Sequence, residues 1–116
     1  MADITVLPTE VPKLNFYAGD TFIFPDYTIQ PGGVVTDFSA YTWKAQWRPT
    51  AESATVVELT VNAAAANIGK FGISATAEQS ATMAGSGVWD LQASLSGVVK
   101  TWLRGSTMGY EDVTRG

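Results

Sequence analysis

The side chains of this chain best suited to chemistry are acidic, because the sequence holds no histidine and no cysteine. Without imidazole, the usual zinc sites, Ser-His triads and near-neutral general bases are out of reach. Without thiol there is no disulfide, no thiolate metal site and no cysteine nucleophile. Carboxylate chemistry remains. Glu58 and Asp90 stand beside Leu59 and Leu91 in stretches that alternate apolar and polar, so both project from the outer face of a sheet. Two carboxylates on one face can serve as a general acid and a general base. A solvated outer face is the plainer reading. Asp20, Asp26 and Asp37 lie in turn-like contexts. They lack the D-x-D-x-D-G spacing of a calcium loop and read as turn-forming aspartates.

Other chemistries find less support. Serine and threonine are frequent, yet no G-x-S-x-G elbow and no S-x-x-K motif is present. Gly85-Ser86-Gly87 lacks the following Lys-Ser/Thr of a phosphate loop and sits in a strand context. Tryptophans can form a carbohydrate platform, but Trp47 and Trp89 fall at regular strand positions among apolar neighbours and read as core. Trp102 is open: it shares a face with Val98 and Lys100, while Val99, Thr101 and Leu103 share the other. On an exposed face it becomes an interface anchor.

The elements that must position these residues are strands. In Tyr41–Arg48 the residues Trp43, Ala45 and Trp47 alternate with Thr42, Lys44, Gln46 and Arg48. This carries two of the chain's four tryptophans on one face and marks the central core strand, because a buried indole removes roughly 150–250 Å² from water. Residues 55–61 form a second strand, with Val57, Leu59 and Val61 on one face. Residues 88–95 form a third, with Trp89, Leu91, Ala93 and Leu95 inward. Ser96-Gly97 is a tight hairpin turn. Residues 98–104 return from it, Gly105-Ser106 turns again, and residues 107–113 make the last strand. Pro31-Gly32-Gly33 suits a type II turn. The alanine-rich run 62–67 reads as a turn or hairpin loop, and residues 68–74 as a strand. Thr76 with Gln79 predicts a capping box on one short helical turn. Residues 1–13 read as an N-terminal arm, apolar at Ile4, Val6 and Leu7 and bounded by Pro8 and Pro12.

The count predicts an all-β fold: a small antiparallel β-sandwich, immunoglobulin-like, with about seven strands and one helical turn, occupying residues 14–116 as a single domain. A small barrel is the alternative. The chain has 116 residues, 46% hydrophobic and only 16% charged, enough for a core without staples. Its net charge of −4 and scattered basic residues exclude the footprint of a nucleic-acid binder. No apolar run approaches a membrane span, and the first residues lack the pattern of an export signal.

Several segments, taken in order, resemble one family. They are Phe16-Tyr17-Ala18-Gly19-Asp20-Thr21-Phe22; Val35-Thr36-Asp37-Phe38-Ser39-Ala40-Tyr41-Thr42 leading to Ala45-Gln46-Trp47-Arg48; Gly87-Val88-Trp89-Asp90-Leu91-Gln92; and Val99-Lys100-Thr101-Trp102-Leu103-Arg104-Gly105 through Glu111-Asp112-Val113-Thr114-Arg115. Together they resemble the β-sandwich domain at the N-terminus of baseplate upper proteins, and of minor tail or fibre-like proteins, in tailed bacteriophages. The resemblance implies a non-enzymatic virion structural protein with no cofactor and no metal. It implies other virion proteins as partners, with copies arranged symmetrically or as a homo-oligomer. It places the protein in the virion, the tail ahead of the capsid surface, after synthesis in the host cytoplasm. Family members often continue into a fibre or receptor-binding region, whereas this sequence ends at Gly116, which favours a structural role. A capsid decoration protein is the alternative within that class. A carbohydrate-binding module for host glycans is the alternative outside it. The residues expected to make subunit contacts are Ile4, Val6 and Leu7 of the arm, Lys44, Gln46 and Arg48 on the outer face of the central strand, and Trp102.

Overall fold

A computed structural model describes residues 9–111. The chain passes through β1 (Thr9–Glu10), β2 (Leu14–Ala18), β3 (Phe22–Ile23), β4 (Tyr27–Thr28), β5 (Thr42–Arg48), β6 (Val57–Ala65), β7 (Lys70–Ala75), α1 (Ala77–Thr82), β8 (Gly85–Leu95) and β9 (Val98–Glu111). The sheet order is β1-β9-β8-β5-β6-β7-β3, with β2 also on β9 and β4 also on β7. The fold is therefore all-β.

One strand makes the sheet turn. Val57, Glu58 and Leu59 of β6 pair with β5, while its later residues, from Thr60 to Ala65, pair with β7. The two ends of the sheet then approach each other. A turn at Gly19, with φ of +99°, joins β2 on one side to β3 on the other. The Phe16 and Phe22 rings stack there with centroids 4.6 Å apart. The sheet is nearly closed into a barrel.

α1 sits beside this junction. Thr76 Oγ1 accepts the Gln79 N–H at 3.1 Å and Gln79 Oε1 accepts the Thr76 N–H at 2.9 Å, the expected capping box. The buried Ser80 hydroxyl accepts the Gly19 N–H at 2.9 Å and donates to the Asp20 carbonyl, tying the helix to the turn.

Inward residues of β5, β8 and β9 build the centre. Ala45, Trp47, Trp89, Leu91, Ala93 and Leu103 are all buried. Phe24, Phe38, Phe71 and Ile73 close over them from the other side of the barrel. Trp43 is partly buried against Phe71, 4.0 Å between centroids.

The strand pattern departs from expectation at five places. β1 and β2 run parallel to β9, not antiparallel. No hairpin links these ends of the chain, so hairpin geometry does not dictate their direction. Among the described residues nine strands stand where about seven were expected. Pro25 withholds an N–H and splits one edge into β3 and β4. Residues 62–65 extend β6, because Asn62 and Ala65 pair with Gly72 and Lys70 across a bulge; the loop is only a 3₁₀ turn at Ala66–Ile68. Residues Pro31–Gly33 likewise form a 3₁₀ turn, not a type II turn. Finally, β9 continues through Gly105-Ser106 without turning. A Cβ on Gly105 would stand 2.9 Å from Trp89 Nε1 and 2.8 Å from Val11 Cγ2. This glycine serves close approach to an indole.

The Ser96-Gly97 hairpin turn is present. Both residues have positive φ, 51° and 81°, as a type I′ turn requires. Leu95, expected inward, is instead exposed, because β5 begins at the level of Ser94 and leaves the hairpin tip uncovered.

Candidate functional site

The register of five strands lines polar residues up on the outer face. Gln46 of β5 pairs with Glu58 of β6 on one side and with Asp90 of β8 on the other. Asp90 pairs with Arg104 of β9, and Arg104 with Glu10 of β1. Glu58, Gln46, Asp90, Arg104 and Glu10 therefore form one row, because paired residues share a face.

Most of this row is satisfied within the chain. Gln46 Nε2 donates to Glu58 Oε1 at 2.7 Å, and Lys44 Nζ lies 3.6 Å from the same oxygen. Arg48 Nη1 donates to the Ser53 carbonyl at 2.6 Å, and its Nη2 reaches Gln46 Oε1 at 3.5 Å. Arg104 Nε lies 3.4 Å from Glu10 Oε1. Asp90 lines a shallow depression of about 270 Å³ with Gln46, Arg48, Thr101 and Arg104. Burial pushes its carboxyl above the ordinary range, against the opposing pull of the Arg48 and Arg104 charges.

Glu58 and Asp90 do share this face, as their alternation predicts. They sit two strand spacings apart, roughly 10 Å between backbones, and the strand carrying Gln46 runs between them. Glu58 is already occupied by Lys44 and Gln46. The other aspartates are dispersed. Asp37 Oδ1 accepts the Ser39 N–H at 2.9 Å and its hydroxyl at 2.6 Å, which holds the Asp37 carboxyl below the usual range; it is a turn former. Among the described residues no group of three His, Cys, Asp or Glu could hold a metal ion. Gly85, Ser86 and Gly87 are the first residues of β8, with no loop to cradle a phosphate.

Trp102 occupies a place that alternation alone cannot assign. Leu91 pairs with Leu103 while Gln92 pairs with Thr101, so Trp102 is the extra residue of a β-bulge. The bulge lets Trp102 and Leu103 both turn toward the core. The Trp102 indole meets Phe38 edge-on at 5.3 Å and carries the Lys100 ammonium 3.8 Å above its ring centre. Neighbours of its own chain thus engage the ring, which leaves it poorly placed as a stacking platform. Its Nε1 is buried and finds no acceptor among the described residues.

Lys44, Gln46 and Arg48 thus lie together on the outer face, and Trp102 lies apart at the bulge. Ile4, Val6 and Leu7 are outside the described residues. From Thr9 onward, the stretch read as an arm is paired into the sheet: Val11 donates its N–H to the Arg104 carbonyl at 2.9 Å. Two features were missed by the sequence reading. Arg104 and Glu10 complete the polar row begun by Glu58, Gln46 and Asp90, which requires knowing the register. The β8–β9 hairpin tip is an apolar projection, with Val98 71% and Val99 61% exposed. The signal for it was two valines directly after a tight turn. No protein-family model matches this sequence, and no curated protein matches it.

Proposed function

We propose that this chain is a non-enzymatic structural protein of a bacteriophage virion, a minor tail or tail-tip component that works through contacts with neighbouring virion subunits. Within this reading the curled sheet is an immunoglobulin-like sandwich whose two layers share β6. The observation that carries the contact mechanism is the hairpin tip, where Leu95, Val98 and Val99 present apolar surface to solvent. Exposed apolar clusters of this kind mark interaction sites. The mixed charges of the outer face, paired among themselves, suit the polar part of a contact better than catalysis. The ordered segments that resemble phage tail domains supply the context.

The test is location and incorporation. Antibody against the chain, imaged on phage particles by immunogold electron microscopy, is expected to label the tail. Labelling of the head would favour a capsid decoration role, and absence from particles would overturn the reading. The V98D/V99D variant is expected to fold, as judged by circular dichroism, and to be missing from particles. Normal incorporation would remove the hairpin tip from the mechanism.

A further inference from the structure

The outer face of the sheet carries two tyrosines side by side. Tyr17 of β2 pairs with Tyr110 of β9, so both rings leave the sheet on the same face. They are 56% and 51% exposed. Among the described residues no hydrogen bond or ring contact engages either side chain. Single exposed aromatics are ordinary, but a cross-strand pair presents a contiguous platform. Every second residue of β9 shares this face, so Tyr110, Met108, Ser106 and Arg104 follow one another along it. The platform and the depression at Asp90 therefore lie on one surface, roughly 20 Å apart.

The depression, of about 270 Å³, brings together Gln46, Arg48, Asp90, Thr101 and Arg104. Asp90 is half-buried there. Among the described residues no hydrogen bond or ion pair reaches its carboxylate. Arg48 turns its guanidinium to the Ser53 carbonyl and Gln46, and Arg104 turns to Glu10. Partly desolvated polar groups are normally matched, so this acceptor calls for a donor from outside the chain.

The surroundings select the chemistry of that donor. A phosphate or carboxylate would meet the charge of Asp90, and an ammonium would meet the two arginines. A neutral hydroxyl both donates and accepts. Neighbouring hydroxyls of one ligand can donate to Asp90 and accept from Arg48 or Arg104. The tyrosine rings ask for a flat apolar face on the same ligand. A pyranose has both, with C–H bonds on its faces and hydroxyls on its rim. A peptide strand finds no backbone edge here, because β8 is paired on both sides.

We propose that the outer face of β2, β9, β8 and β5 binds a linear glycan, one part stacked on Tyr17 and Tyr110 and another seating its hydroxyls against Asp90. The tyrosine pair takes the stacking role for which Trp102 is poorly placed. This goes beyond the virion reading and does not rest on it. It is tested on purified protein, so the two can fail separately.

The full chain is applied to a printed array of plant, fungal and bacterial oligosaccharides, and its strongest ligand is titrated by calorimetry. Binding of a linear oligosaccharide is expected. Y17A/Y110A removes exposed rings and D90N conserves shape, so both are expected to keep the natural circular dichroism spectrum. Each is expected to weaken binding at least tenfold. Y17F/Y110F keeps the rings and is expected to lose less than Y17A/Y110A. Undiminished affinity in either Y17A/Y110A or D90N would overturn the proposal, as would silence across the array. A poly-L-proline peptide is titrated in parallel. Binding of that peptide in place of any glycan would overturn the proposal in favour of a peptide-docking face.

Discussion

Trp47 donates its indole N–H to the hydroxyl of Thr107, 2.7 Å away, across an intervening strand. Trp47 lies on β5 and Thr107 on β9, with β8 between them. The indole crosses β8 at Gly87, where a Cβ would overlap the ring. Both Trp47 and Thr107 are fully buried, so the bond satisfies two polar groups that water cannot reach.

Replacing Thr107 by valine keeps the shape and removes the acceptor. The buried Trp47 N–H is then left without a partner, at a cost of about 1–3 kcal/mol. Urea unfolding followed by tryptophan fluorescence measures this directly. T107S retains the hydroxyl and is expected to lose less than T107V. Equal losses would mean that packing of the methyl group, not the hydrogen bond, matters at this site.

Gly87→Ala is expected to be the most damaging small substitution in the sheet. The added methyl coincides with the Trp47 indole, which is packed and cannot withdraw. Overpacking of this kind costs about 1–3 kcal/mol or more. In contrast, an added Cβ at Gly97 meets nothing within 4 Å and suffers only from its φ of +81°. Thermal unfolding of G87A and G97A should rank them in that order.

Asp90 makes a pH-dependent contribution of unusual sign for an acid. Burial raises its carboxyl in the folded state, so between the unfolded and folded values the native state holds more protons than the unfolded chain. Its effect on stability is most favourable below the unfolded value and worsens as pH rises through the folded one. D90N removes this penalty. The variant is expected to equal the natural chain near pH 3 and to match or exceed it at pH 7, by less than about 1 kcal/mol because solvent screens this partly exposed group. Denaturant midpoints at the two pH values decide it. A D90N protein clearly weaker at pH 7 would mean that attraction to Arg48 and Arg104 outweighs desolvation.

Ser80 fastens α1 to the turn that brings the two ends of the sheet together. Ser80→Ala removes the acceptor of the Gly19 N–H and the donor to the Asp20 carbonyl. A loss of about 1–3 kcal/mol is expected, with faster hydrogen exchange at Gly19 and Asp20 before any change in β5 or β8. Uniform loosening of the whole sheet would contradict a local role for this clasp.

Periodicity and local chemistry determined much of this protein. Alternation in residues 42–48 and 88–94 placed Ala45, Trp47, Trp89 and Leu91 inside. Thr76 and Gln79 announced the capping box, and Ser96-Gly97 announced the hairpin. Each of these depends on residues a few positions apart, so the sequence states them directly. Tertiary structure decided what depends on distant partners. Gly105 looked like a turn until Trp89 lay over it, and Trp102 had no assignable face until the bulge against Gln92 shifted the count. The polar row of Glu58, Gln46, Asp90, Arg104 and Glu10 exists only through register across five strands. β1 and β2 join the sheet in parallel, a direction that hairpin connectivity leaves unset. The reason is physical: a strand's faces follow from its own two-residue period, whereas its partners, register and open edges follow from how the whole sheet closes.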